Sequence, residues 1–101
     1  MTDPEDGGEP VHRIEATILN RQGLHFRPMG KLVQLTQTYQ SEITVEYDGR
    51  QSDAKSSIGL VTLGAPQGAV LQFEARGPDA EEALQQIAAL VADYFGMTEA
   101  D

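Results

Sequence analysis

The apolar residues of this chain switch between a period of two and a period near 3.6, and the switches divide it into elements. Val11 to Leu19 alternates, with Ile14, Ala16 and Ile18 on one face, and reads as a strand. Asn20-Arg21-Gln22-Gly23 breaks that pattern. From Phe26 to about Thr38 the spacing is helical, through Met29, Leu32, Val33 and Thr36. Pro28 suits the first turn, where a missing N–H costs nothing. Ile43, Val45 and Tyr47 alternate again. Asp48-Gly49 is a two-residue hairpin signal, so an antiparallel strand follows from Arg50. Ser56 to Leu63 reads as a short helix, capped by Ser56 and stopped by Gly64. Ala69, Leu71, Phe73 and Ala75 define another strand. The last segment carries one apolar stripe through Ala80, Ala83, Leu84, Ile87, Leu90, Val91 and Tyr94. Asp79 with Glu82 is expected to form a capping box, and Gly96 to end the helix.

The order is β-α-β-β-α-β-α. Four strands with one apolar face and three amphipathic helices predict an α+β, two-layer sandwich with the helices on one side of the sheet. Residues 11–95 form the expected domain. Residues 1–10 hold four acidic residues, two glycines and two prolines, and are expected to be a disordered tail. Residues 96–101 form a short C-terminal tail.

Composition narrows the function. Sixteen acidic and seven basic residues give a net charge of −9. That charge disfavours nucleic-acid binding, which needs cations to displace phosphate counterions. The chain has no cysteine, hence no disulfide, thiol nucleophile or thiolate metal site. Two histidines alone make a poor zinc site, and no metal or cofactor is expected. No apolar run approaches a membrane span, and the acidic start is unlike a signal peptide. A cytoplasmic location is expected.

The chemistry gathers in "GLHFRPMG", Gly23 to Gly30. His25 stands at the expected N-cap of the first helix. The first N–H groups of a helix lack intrahelical partners and its dipole is positive there, which makes a phosphate site. Arg27 offers a fork to phosphate oxygens. Gly23 permits the sharp turn into the helix. Taken alone, a histidine at a helix start is more often a cap or a surface residue. His12, on the first strand with no second ligand in view, is assigned no role.

"GLHFRP" together with "KSSIGLVTLG", Lys55 to Gly64, and "GPDAEEAL", Gly77 to Leu84, resembles the HPr family of histidine-containing phosphocarriers of the bacterial phosphotransferase system. The resemblance spans roughly residues 11–95. It implies the HPr-like open-faced sandwich and a carrier rather than an enzyme. Enzyme I, charged by phosphoenolpyruvate, would phosphorylate His25 on Nδ1, with Arg27 steadying the phosphate. The phosphohistidine would then donate to IIA components in sugar transport or regulation. Ser56 would be the regulatory phosphorylation site, served by an HPr kinase/phosphorylase. A monomer is expected, with no nucleic-acid partner and no membrane insertion.

The chain also departs from the family pattern. Phe26 replaces the small residue after the histidine, and Met29 and Gly30 replace the small pair after the proline. Phe26 is either a docking anchor or a cover for the loop. Gly30, Lys55, Ile58 and Leu60 complete the expected docking surface. Gln34 and Gln37 stand where the family often carries lysines, which lowers steering toward an acidic partner. The alternative to a phosphoryl carrier is a regulatory binding module controlled through Ser56, including a nitrogen-type branch.

Overall fold

Phe73 is fully buried on a strand that has a neighbour on each side. The computed structural model describes residues 10–101, so the expected acidic tail, apart from Pro10, lies outside the described residues. The strands are β1 (Val11–Thr17), β2 (Glu42–Tyr47), β3 (Arg50–Asp53) and β4 (Val70–Arg76), in the order β1-β4-β2-β3. All neighbours are antiparallel, and Phe73 lies opposite Ile14 on β1 and Val45 on β2. Because side chains alternate across a sheet, Ala16, Ile43, Val45, Leu71, Phe73 and Ala75 share the buried face. Arg13 and Glu74 stand on the open face, where they pair at 3.0 Å.

Three helices cover the apolar face: α1 (Phe26–Thr36), α2 (Ser57–Leu63) and α3 (Ala80–Ala92). The expected stripes are buried through Met29, Leu32, Val33 and Thr36 on α1, and through Ala80, Ala83, Leu84, Ile87 and Val91 on α3, whereas Leu90 and Tyr94 are only half-buried and Tyr94 lies beyond α3. The architecture is therefore the four-stranded, open-faced α+β sandwich, in the order β-α-β-β-α-β-α. Asp48 and Gly49 both take positive φ, 54° and 79°, as a hairpin turn matched to strand twist requires. Among the described residues no helix is long and apolar enough to cross a membrane.

The structure corrects two expectations about α3. Asp79 stands at its N-cap, yet makes no side-chain cap bond. Its carboxylate instead accepts from the Gln40 N–H and the Ser41 N–H, each at 3.0 Å, and from the Ser41 hydroxyl at 2.5 Å. The Asp79 N–H donates back to Ser41 Oγ at 3.2 Å. The carboxylate thus ties the α1–β2 loop to the start of α3. A loop with several unpaired N–H groups competes for it more effectively than its own helix does.

The second correction concerns the helix end. α3 stops at Ala92, and a short 3-10 turn spans Tyr94–Gly96. Tyr94 and Phe95 take left-handed φ of 55° and 56°. This conformation costs a non-glycine residue about 1–2 kcal/mol. The Phe95 side chain is fully buried, and burying an aromatic of that size contributes about 1.5–3 kcal/mol. The buried Asn20 amide donates to the Tyr94 carbonyl at 3.0 Å and holds the turn.

The loop from β1 to α1 is pinned at several points. The Ile18 N–H donates to Ala69 O at 2.9 Å, and the Leu24 N–H to Ala65 O at 2.9 Å. Gly23, at φ 71°, lies so close to the α2–β4 loop that a Cβ would stand 2.5 Å from Ala65 O and 2.8 Å from Pro66 Cα. Backbone atoms on both sides leave no flexible group to yield. Gly23→Ala should therefore lower unfolding stability by about 1–3 kcal/mol, read from urea midpoints at unchanged slope.

Asp79 generates a pH prediction. Its hydrogen bonds, with the Ser41 hydroxyl foremost, hold its carboxyl below the usual range, outweighing burial. A lowered folded value means the contribution is complete above the unfolded value near 3.8 and is lost as pH falls through the folded one. Thermal melts of Asp79→Asn should lose less stability between neutral and acidic pH than the parent, and be less stable than it at neutral pH.

Candidate functional site

The pinned loop delivers His25 to the start of α1. His25 is the N-cap residue, in extended backbone conformation, and its own side chain makes no cap bond. Its carbonyl accepts the first helical bond, from the Met29 N–H at 3.0 Å. The N–H groups of Phe26 and Arg27 have no acceptor within the helix, and Pro28 has no N–H. The first turn carries no acidic side chain to spend that positive end. The half-buried imidazole is thereby placed at an anion-ready helix start.

One ring nitrogen is already engaged. His25 Nε2 lies 2.9 Å from the main-chain oxygen of Asp101. A carbonyl-type oxygen only accepts, so Nε2 carries the hydrogen. In the neutral ring the lone pair then resides on Nδ1, the nitrogen free to act as a nucleophile.

Asp101 also reaches Arg27, with Oδ1 3.6 Å from Nη1. Its other oxygen, Oδ2, accepts from the Thr98 N–H at 3.0 Å and the Thr98 hydroxyl at 2.9 Å. These bonds hold the Asp101 carboxyl below the usual range, aided by the charges of Arg27 and then His25 and opposed by burial. Phe26 is 75 % exposed, and its ring meets the imidazole edge-on with centroids 6.0 Å apart. Residues 98–101 thus lie against the histidine. The periodic reading of the sequence misses this, because three of these four residues are polar or charged and no apolar spacing marks them.

The second motif lies beside the first. Ser56 caps α2 as expected, its Oγ accepting from the Gly59 N–H at 3.1 Å. Gly64 closes α2 at φ 60°. Thr36 Oγ1 on α1 donates to Ala54 O at 2.9 Å, and Gln37 Nε2 donates to Lys55 O at 3.3 Å. Lys55 Nζ in turn donates to Tyr39 O at 2.7 Å. These bonds set the start of α2 alongside α1. A shallow groove between them is lined by Arg27, Gly30, Lys31, Gln34, Gln37 and Ser57. A Cβ on Gly30 would meet no atom within 4 Å, so its surface is open.

Leu60 is unavailable to the expected docking surface. It is buried with Leu63, while Ile58 and Val61 are exposed. Helical spacing explains the split, since residues three or four apart share a face. That rule, applied to "SIGLVTL", places Val61 rather than Leu60 beside Ile58.

Comparison with known proteins agrees with this layout. A family model described as "PTS HPr component phosphorylation site" matches residues 12–93. The phosphocarrier protein HPr of Cupriavidus necator is 42% identical over 82 residues, covering 81% of this chain and 92% of that protein. The structure of HPr-C-His from Thermoanaerobacter tengcongensis superposes with a TM-score of 0.83 at 37% identity, covering 86% of this chain and 98% of that one. A structure of an HPr dimer from the same organism superposes with a TM-score of 0.69 at 40% identity, covering 79% and 92%. With the histidine at the helix start, the capped serine helix beside it and the open-faced sheet beneath, the chain belongs to the HPr family, the phosphocarriers of the phosphotransferase system.

Proposed function

We propose that His25 is the phosphoryl acceptor and donor, and that Arg27 stabilises the phosphate. The observation that carries this reading is the His25 ring itself. It stands at the N-cap of α1 with Nε2 hydrogen-bonded and Nδ1 left as the lone-pair nitrogen. Nδ1 attacks the phosphorus carried by Enzyme I, which phosphoenolpyruvate has charged. The bond from phosphorus to the donor breaks as the new P–N bond forms. The phosphoryl group adds a charge of about −1.5 to −2. The orphan N–H groups of α1 and the Arg27 guanidinium suit that charge. A reversible carrier needs no general base of its own. The IIA acceptor supplies the next nucleophile. The chain works as a cytoplasmic covalent intermediate.

Docking combines an apolar patch with a few cations. Phe26, Ile58 and Val61 are exposed on two helices that touch, α1 and α2. Gly30 and Lys31 line the groove between them, with Lys55 at the start of α2. Enzyme I and IIA components are the proposed partners.

Incubation with phosphoenolpyruvate, magnesium and Enzyme I should add one acid-labile phosphate to the intact mass, and none to His25→Ala. Arg27→Ala should slow the transfer about tenfold, as expected for losing a hydrogen bond to a charged group. No mass gain with an Enzyme I shown active on another carrier would refute the assignment.

A second reading is favoured by the Ser56 geometry and can operate on the same chain. A phosphate on Ser56 would sit at the N-terminus of α2, beside the groove that Arg27 lines, and would alter docking by its charge. HPr kinase/phosphorylase with ATP should then yield an acid-stable phosphate that is lost in Ser56→Ala and retained in Ser57→Ala. Ser56→Ala should also cost about 1 kcal/mol of stability through the lost cap.

A further inference from the structure

The segment Thr98–Asp101 lies beyond the residues matched by the family model, which end at 93, yet it is built onto the phosphoryl site. The Arg21 N–H donates to Glu99 O at 3.2 Å, and the Gln22 N–H to Asp101 O at 3.3 Å. Both donors belong to the loop that delivers His25. The main-chain oxygen of Asp101 takes His25 Nε2 at 2.9 Å, and its carboxylate faces Arg27 at 3.6 Å. Thr98 grips the remaining carboxylate oxygen through both its N–H and its hydroxyl. The carboxylate is therefore aimed at Arg27 by a closed turn.

We infer that this C-terminal strap is a built-in competitor of the phosphoryl group, with the Asp101 carboxylate occupying Arg27 until phosphate displaces it. Arg27 cannot give its fork fully to both anions, and a phosphate on the imidazole meets a like charge in Asp101. The strap thus opposes charging of His25 and favours discharge. Glu99 and Asp101 give it two negative charges of its own, which phosphorylation drives away from the ring. The inference rests on the proposal that His25 accepts the phosphate.

Phosphoramidate tests it without any partner protein. The imidazole lone pair attacks phosphorus, the P–N bond of the reagent breaks, and the amine leaves as ammonia with one proton. Initial rates at His25 would be read by tandem mass spectrometry, against His12 at the far end of β1 as the internal reference. At low salt, Asp101→Asn, which keeps the main-chain oxygen on Nε2, should charge His25 about threefold faster, the scale of a partly exposed ion pair. In 1 M salt, where the screening length is about 3 Å, the gain for Asp101→Asn should vanish. A His25 rate at or below the parent's in Asp101→Asn would overturn the competitor role. Efficient charging of the parent by Enzyme I alongside that result would leave the carrier assignment standing. Conversely, an inert Enzyme I reaction with faster phosphoramidate charging of Asp101→Asn would support the strap and sink only the protein donor.

Discussion

The approach of Gly23 to the Ala65–Pro66 backbone is the constraint on which the site depends. The chain leaves β1 at one sheet edge and must enter α1 after eight intervening residues, with His25 at the helix start. It does so by pressing a residue without a Cβ, at positive φ, against the loop that follows α2. The Leu24 N–H then bonds Ala65 O at 2.9 Å, and Leu24 itself is buried. His25 is the next residue. Its place at the helix start is thus inherited from contacts between two loops, not from any bond of its own side chain.

The rest of the sandwich holds that geometry in place. β4 is flanked by β1 and β2, and Phe73 is fully buried in the row Ile14, Phe73, Val45. α1 and α3 close over this row. Thr36 secures α1 to the loop before α2 through Ala54. Asp79 secures the far end of α1 to α3 through Gln40 and Ser41. The helix start is therefore rigid while its first N–H groups remain available, a combination that favours reversible phosphate binding. Phe95 and Asn20 turn the chain after α3 back toward the same loop. That return is what brings Thr98 and Asp101 to His25.

Much of the layout was legible from residue pattern. The strand faces, the stripes of α1 and α3, the Asp48-Gly49 turn and the Ser56 cap follow from local rules of period, turn chemistry and capping. The motif around His25 pointed to phosphate chemistry through its resemblance to the HPr family, since a histidine at a helix start is by itself more often a cap or a surface residue. Errors fell where a residue had a choice of partners. Asp79 was expected to cap its own helix, but two N–H groups and a hydroxyl from another loop outbid that bond. Leu60 was placed on the surface by its motif, whereas the helical face it shares with Leu63 is the buried one.

By itself the sequence determined the elements, their amphipathic faces and the residue types at the start of α1, because those depend on neighbours within a few positions. Only the tertiary structure decided which nitrogen of His25 carries the hydrogen, since Asp101 is 76 residues away in the chain. It likewise decided that Arg27 already faces a carboxylate and that the chain leaves α3 at Ala92, so that Phe95 turns into the core. Each of these depends on a long-range contact, whose partner no local pattern identifies.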